Sequence, residues 1–289
     1  MNPSTVLIKL TALAALTLSA AACTGSVNLD VTDAPVDGAS KVVVEVSGVT
    51  FQPTGADAFT VDFDTPLSID LLALRDGDTE PLISGKKMRD GSYDSIKLLV
   101  NASGDGSDSY ITLTSDPTTK IPLVLASEDE DGLTITGGFS VEKDETQNYV
   151  IDFDLRKSVR DPATGETDYQ LKPALRLVNA DKSGSIVGTV TGAGASGCAP
   201  AVYVYKGSNA TAGDEGSANP PYASTRIYLD SADSKYKYFV SFLPPGNYTV
   251  AATCSADEDS ADDSGDITLT GAVNKSVQTG VQAEIDFTL

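Results

Sequence analysis

The sequence predicts an all-β protein built from two β-sandwiches. Three observations carry this. Helical periodicity is almost absent, apolar and polar residues alternate in short runs between turn signals along most of the chain, and a length of 289 residues suits two domains better than one. The strong runs of the first half are residues 42–46, 59–64, 96–100, 110–113, 150–155 and 174–178. In the fifth of these, Ile151, Phe153 and Leu155 point one way while Asp152 and Asp154 point the other, so one face is expected in the core and the other in water. Residues 67–75 fit a strand or a short helical turn equally well. A short polar stretch follows, and a glycine-spaced strand opens at residue 184, which puts the domain boundary near residue 182. In the second half, strands are expected at 184–192, 202–205, 225–229, 238–242, 248–251, 267–269 and 284–287, with a long Gly-, Ala-, Ser-, Asn- and Pro-rich loop over 208–221. Short strands at this spacing suit a sandwich of about seven strands.

Composition narrows the function classes. The chain carries 41 acidic and 20 basic residues, a formal charge of −21, and no histidine. A polyanion repels phosphate backbones, so nucleic acid is not an expected partner. Without histidine there is no histidine-based triad, no zincin motif and little scope for a transition-metal site. Tryptophan is also absent, leaving 11 tyrosines and 8 phenylalanines as the large packing units.

Residues 10–22 form an uncharged run of small and apolar residues after Lys9. As a helix at ~1.5 Å per residue it spans about 20 Å, short of a ~30 Å hydrocarbon core, and so suits a cleaved secretory signal over residues 1–22. Leu18-Ser19-Ala20-Ala21-Ala22-Cys23 resembles a bacterial lipobox, in which the cysteine receives a lipid after cleavage. Leucine usually stands three places before the cysteine; here Ala20 does, and ordinary cleavage after Ala22 is the competing reading. Only Cys23, Cys198 and Cys254 are present. Acylation of Cys23 leaves Cys198 and Cys254 to form one disulfide, whereas an unmodified Cys23 would be an odd thiol in an oxidising compartment. The expected location is therefore the outer membrane or cell surface, with the membrane engaged through the N-terminal lipid.

Several motifs of the first half resemble a bacterial lipoprotein family, domain-of-unknown-function family 4382. They are Val31-Thr32-Asp33-Ala34-Pro35, Leu71-Leu72-Ala73-Leu74, the stretch from Gly91 through Tyr93 and Ile96 to Val100, Asp152-Phe153-Asp154-Leu155, and the stretch from Tyr169 through Leu171 and Leu175 to Val178. The resemblance implies an extracytoplasmic lipoprotein domain over residues 23–182, with no known activity and no catalytic residues to carry over. Residues 183–289 resemble a transthyretin-like or carboxypeptidase-regulatory-like domain, through Gly184-x-x-x-Gly188 and the strand, Pro-Gly turn and strand from Phe239 through Pro244-Pro245-Gly246 to Val250. That resemblance implies an Ig-like or prealbumin-like sandwich, with Tyr248 and Val250 packed inward.

Candidate chemistry is sparse. Ser127-Glu128-Asp129-Glu130-Asp131-Gly132 sets oxygens before a glycine as a calcium loop does, but Ser127 stands where the first aspartate belongs and Gly138 where the bidentate glutamate belongs. Asp257-Glu258-Asp259 with Asp262, Asp263 and Asp266 is a second cluster. The metal candidates are Asp129, Asp131, Asp257 and Asp259, with calcium the only cofactor considered, against the plainer reading of solvated acidic loops. Ser84-x-x-Lys87 and Ser234-x-x-Lys237 match a serine–lysine nucleophile spacing but open no helix that would aim both side chains. Tyr203, Tyr205, Tyr222, Tyr228, Tyr236 and Tyr238 could form a sugar-stacking platform, or simply pack in strands. The reading is a non-enzymatic outer-membrane lipoprotein serving as a surface-binding or envelope structural module. Its alternative is a carbohydrate-binding or adhesion module, calcium-stabilised or not, with a glycan or envelope protein as partner.

Overall fold

The computed structural model describes residues 23–34, 36–126, 129, 131–172, 174–262, 265 and 267–289. The expected signal segment 1–22, and Ser127, Glu128, Glu130, Asp263 and Asp266 of the acidic loops, lie outside the described residues. The fold is mostly β, with several sheets arranged as sandwich-like units. No helix among the described residues is long and apolar enough to cross a membrane.

The first half contributes β1 (Thr24–Ala34), β2 (Ala39–Pro53), β3 (Phe59–Asp70), β4 (Glu80–Arg89), β5 (Gly91–Asn101), β6 (Tyr110–Leu113), β7 (Asp116–Leu125), β8 (Leu133–Val141), β9 (Thr146–Asp154), β10 (Val159–Arg160), β11 (Tyr169–Leu171) and β12 (Leu175–Asn179). One sheet runs β12-β9-β1-β4 and the other β10-β11-β7-β6-β2-β5-β8, with β3 also on β2. β1 is central to the smaller sheet, parallel to β9 and antiparallel to β4. Its Val27, Leu29 and Val31 alternate into the same buried core as Val42, Val44 and Val46 of β2. Rings do the work that tryptophan would otherwise do. Phe51 stacks on Phe59 at 5.4 Å, Tyr93 on Phe139 at 4.7 Å, and Tyr149 meets Phe139 edge-on at 5.1 Å. The ambiguous stretch resolves as both alternatives in turn: β3 continues to Asp70 and a single 3-10 turn covers Leu71–Ala73.

The second half contributes β13 (Gly184–Thr191), β14 (Ala201–Lys206), β15 (Ala223–Arg226), β16 (Tyr228–Asp230), β17 (Lys235–Leu243), β18 (Gly246–Thr253), β19 (Thr270–Val277), β20 (Gln282–Glu284) and β21 (Phe287–Thr288). Its sheets run β16-β17-β13-β20, with β21 also on β13, and β15-β14-β18-β19. The expected strand at 267–269 is not formed, and the strand starts at Thr270 instead. β19 lies at a sheet edge with its side chains largely exposed, so no apolar alternation marks it. The glycine spacing of β13 has a packing cause. A Cβ at Gly188 would lie 1.7 Å from the carbonyl oxygen of Ile285, and one at Gly184 would lie 2.3 Å from that of Gln278. Only glycine lets the C-terminal segment lie this close to β13.

β14 and β18 are buried on both faces. Val202, Val204, Tyr248 and Val250 enter the inter-sheet core, as expected for the last two, while Ala201, Tyr203, Tyr205 and Ala251 form a second cluster behind the sheet. The long 208–221 loop covers that second face, and the Tyr205 hydroxyl donates to Gly213 O at 2.7 Å. Cys198 and Cys254 are joined. They flank a short parallel bridge in which Ala199 N donates to Cys254 O at 2.7 Å and Ala256 N to Ala199 O at 3.0 Å. Closing the loop between them stabilises by roughly 4 kcal/mol in the chain-entropy picture. Replacing both cysteines by serine should therefore lower the unfolding free energy of the second half by about that amount. Denaturant melts under non-reducing conditions, with and without the substitutions, check this.

Candidate functional site

Charged side chains converge between the two halves of the molecule. β9 ends at Asp154 and runs into a one-turn helix α1 (Leu155–Ser158), whose Leu155 is wholly buried in the first core. The turn swings the next two residues toward the second half. Arg156 reaches Asp37 at 2.5 Å, the Tyr203 hydroxyl at 3.3 Å and Ala256 O at 3.2 Å. Lys157 lies 3.0 Å from both Asp154 and Glu215 and donates to Pro221 O at 2.5 Å. The Tyr203 hydroxyl in turn donates to Asp259 at 2.5 Å, and Asp259 also accepts from Glu215 N at 3.1 Å.

The third bridging cation is Arg176 of β12. It pairs with Asp152 on the neighbouring β9, and donates to Phe242 O at 2.9 Å and Ser241 O at 3.2 Å across the junction. Successive strand carbonyls normally point opposite ways. Here β17 is irregular opposite β13, and Phe242 has φ of +51°, so two consecutive carbonyls can meet one guanidinium. The ring of Tyr222 lies 5.0 Å from that guanidinium.

This corrects the expectation that Asp152 and Asp154 face water. Asp152 is buried, and the side of β9 that carries it is the junction with the second half. Burial raises the Asp152 carboxyl's pKa, only partly offset by Arg176. Glu215 is pushed up to about 8 by burial first and then by Asp154, against the pull of Lys157. Burial opposes the charge of Lys157, yet Asp154 and Glu215 outweigh it and hold its pKa above the usual value.

Among the described residues, recesses lie at this junction, and two of them are rich in charge. One is lined by Val36, Asp37, Arg156, Arg160 and the 256–262 stretch, with Arg160 3.1 Å from Asp262. The acid-rich segment of the second half is thus aimed at arginines of the first. The other is a cavity of about 290 Å³, formed by Asp33 and residues 72–77 from the first half with 225–228, Phe239 and Ser241 from the second. Arg75, Asp76, Gly77 and Asp78 make its rim as a tight turn closed by Asp78 N donating to Arg75 O at 2.8 Å. Both central residues have positive φ, +57° and +88°.

The sequence-derived candidates fall as follows. Cys23 is half-buried directly before β1, and its carbonyl accepts from Asp90 N at 3.1 Å. Asp129 is half-buried, Asp131 and Asp257 are exposed, and Asp259 is occupied by Tyr203 and Glu215 N. Among the described residues no group of three or more acidic or cysteine side chains is placed to hold a metal ion. Tyr203, Tyr205 and Tyr238 are core residues. Tyr222, Tyr228 and Tyr236 are half-buried, and of these only Tyr228 lines the junction cavity. The sequence reading places no site at the junction. Its signal was the set of basic residues, Arg156, Lys157, Arg160 and Arg176, lying within or beside otherwise apolar strand motifs.

Residues 24–173, just over half of the chain, match the family described as Domain of unknown function (DUF4382). The chain belongs to the DUF4382 family. The DUF4382 domain thus includes Arg156 and Lys157, while Arg176 lies just beyond the matched residues. No curated protein sequence matches the chain. Among solved structures, the chain is similar to the TIE protein of Bacillus anthracis at 10% identity and a TM-score of 0.20, covering 92% of this chain and 34% of that one. It thus spans about a third of the length of that protein. A candidate adhesin of Bacteroides ovatus is 10% identical, with 98% of each chain covered and a TM-score of 0.22. A candidate cell adhesion protein of Bacteroides fragilis is 11% identical, with 91% and 92% covered and a TM-score of 0.22.

Two predictions follow from the charge pairs. Arg176→Ala strands a buried carboxylate and should cost about 3–5 kcal/mol, whereas Arg176→Met combined with Asp152→Asn should cost much less; equilibrium denaturation of both variants distinguishes them. Glu215 has a folded pKa of about 8 against an ordinary 4.5. Between those values the folded state holds a proton that the unfolded state has lost, so stability falls as pH rises and the loss is complete above about pH 8. The melting temperature should rise from pH 8 to pH 5, and Glu215→Gln should flatten that slope.

Proposed function

We propose that the mature chain is a lipid-anchored, non-enzymatic extracytoplasmic protein that presents two coupled sandwiches for binding at the cell surface or within the envelope, in an adhesive or glycan-binding role. The division proposed is a signal at 1–22, the family domain at 23–182 and a transthyretin-like or carboxypeptidase-regulatory-like domain at 183–289. The observation that carries the reading is how the strongly perturbed ionisable groups are used. Arg156, Lys157, Arg176, Asp152, Glu215 and Asp259 are spent on one another across the junction. These contacts tie the two halves together, and the neighbouring cavity, which holds the strongly shifted carboxyl of Asp33, offers a binding surface. The Cys198–Cys254 bond suits an oxidising, extracytoplasmic compartment.

The place of Cys23 sets what an anchor there would do. β1 begins at the very next residue, so a lipid there would have no linker. The Cys23–Asp90 end of the smaller sheet would rest against the bilayer and the body would project from it. Metabolic labelling with an alkyne fatty acid should mark the wild-type protein and leave Cys23→Ala unlabelled and released from the membrane fraction. A mature wild-type protein without acyl chains by mass spectrometry would remove the anchor.

A further inference from the structure

The cavity of about 290 Å³ at the junction contains a group that the fold leaves unmatched. Asp33 Oδ1 is shut off from water and has no hydrogen-bond partner among the described residues. An unsatisfied buried acceptor costs about 1–3 kcal/mol; Oδ1, closed to water, is closed to a ligand as well, which meets Asp33 only through its other atoms at the cavity wall. Arg75 and Arg226 line the cavity with Asp33, and Asp76 completes the charged set. The aromatic residues on the wall are Phe239 and Tyr228. Gly77 lies close beside Phe239, where a Cβ would come within 3.1 Å of the ring.

These features select the ligand by elimination. Burial raises the pKa of Asp33 and favours its neutral form, Asp37 already pairs with Arg226 at 3.5 Å, and Arg75 and Asp76 offset each other, so the lining carries little net charge to draw a cation or an anion. A lining of balanced charge suits an uncharged molecule that both donates and accepts hydrogen bonds. The aromatic wall suits one with an apolar face. The volume lies at the bottom of the usual range for ligand sites, ~300–1,000 Å³, enough for one substituted ring and too small for an extended oligomer. A neutral pyranose meets all three conditions: its C–H face packs on aromatic rings, and neighbouring hydroxyls can bridge a carboxylate and a guanidinium.

We propose that this cavity binds the terminal ring of an uncharged glycan, held against Phe239 and Tyr228, with its hydroxyls shared between Asp33 and the two arginines. The proposal rests on the binding-module reading and names its ligand class. The test is saturation-transfer NMR on the purified full chain with the methyl glycosides of glucose, galactose, mannose and N-acetylglucosamine at millimolar concentration. At least one should receive magnetisation through its C–H face. Phe239→Leu, which keeps bulk but removes the ring, and Asp33→Asn should each weaken that binding by at least about tenfold. Tyr236→Ala, outside the cavity, should not. Melting curves establish that each variant is folded. Ser241→Leu, which fills the cavity from its wall, gives a second route to the same loss.

Absence of transfer from all the glycosides would overturn the proposal, as would binding that survives Phe239→Leu, Asp33→Asn and Ser241→Leu. Displacement of a bound glycoside by free mannan or glucan would support it. A cavity occupied only by a peptide side chain in a crosslinked complex would overturn it in favour of a protein partner. A failed glycoside experiment alongside intact acyl labelling would remove this ligand and leave the anchored module standing.

Discussion

Arg156, Lys157 and Arg176 of the first half, the first buried and the other two half-buried, are set against the second half, and the arrangement of the molecule follows from pairing them. A buried cation is tolerable only when it is paired and hydrogen-bonded. Each finds its acid at or across the junction, Asp37, Glu215 and Asp152 respectively, and each also finds main-chain carbonyls of the second half. Contacts of this type are directional. An apolar interface would let the halves slide, whereas a guanidinium gripping Ser241 O and Phe242 O together fixes their relative orientation. The left-handed backbone at Phe242 is one cost of that grip, of order 1 kcal/mol or more for a bulky residue.

The same pairing accounts for an otherwise puzzling composition. In a chain this acidic, most carboxylates gain little from their surroundings and serve solubility. The segment around Asp257–Asp262 differs, because Asp259 closes a chain running from Arg156 through the Tyr203 hydroxyl, and Asp262 meets Arg160. Two acids of the segment that reads as a cation-binding loop in sequence, Asp259 and Asp262, are turned toward Arg156 and Arg160 of the same chain.

How much of this was legible in sequence depended on whether the signal was local. The alternation of Ile151, Phe153 and Leu155 places a strand and its core face without help, Tyr248 and Val250 pack inward as the family resemblance implies, and the glycine spacing at 184 and 188 marks a strand whose close approach to the C-terminal segment only the fold shows. Alternation separates apolar from polar but not wet from paired. Asp152 reads as solvent-facing because its partner, Arg176, lies 24 residues away on another strand. β19 left no alternation because an edge strand has little to bury. The junction cavity was invisible for a stronger reason: Asp33, Arg75, Arg226 and Phe239 come from four separate parts of the chain, and only the docking of the two halves makes them neighbours.

The placement of β1 has a consequence for the order in which the chain can fold. This strand is the first part of the sandwich to emerge, yet its parallel neighbour pairs Ser26 with Thr146 and Ala34 with Asp154. It must therefore remain an open edge until more than half of the polypeptide has appeared. Pairings so distant in sequence are slow to form and leave sticky strands exposed while they wait. A polypeptide delivered through a narrow channel, leading end first, would need that strand shielded by a chaperone, or by the repulsion among its own many carboxylates, until its neighbour arrives.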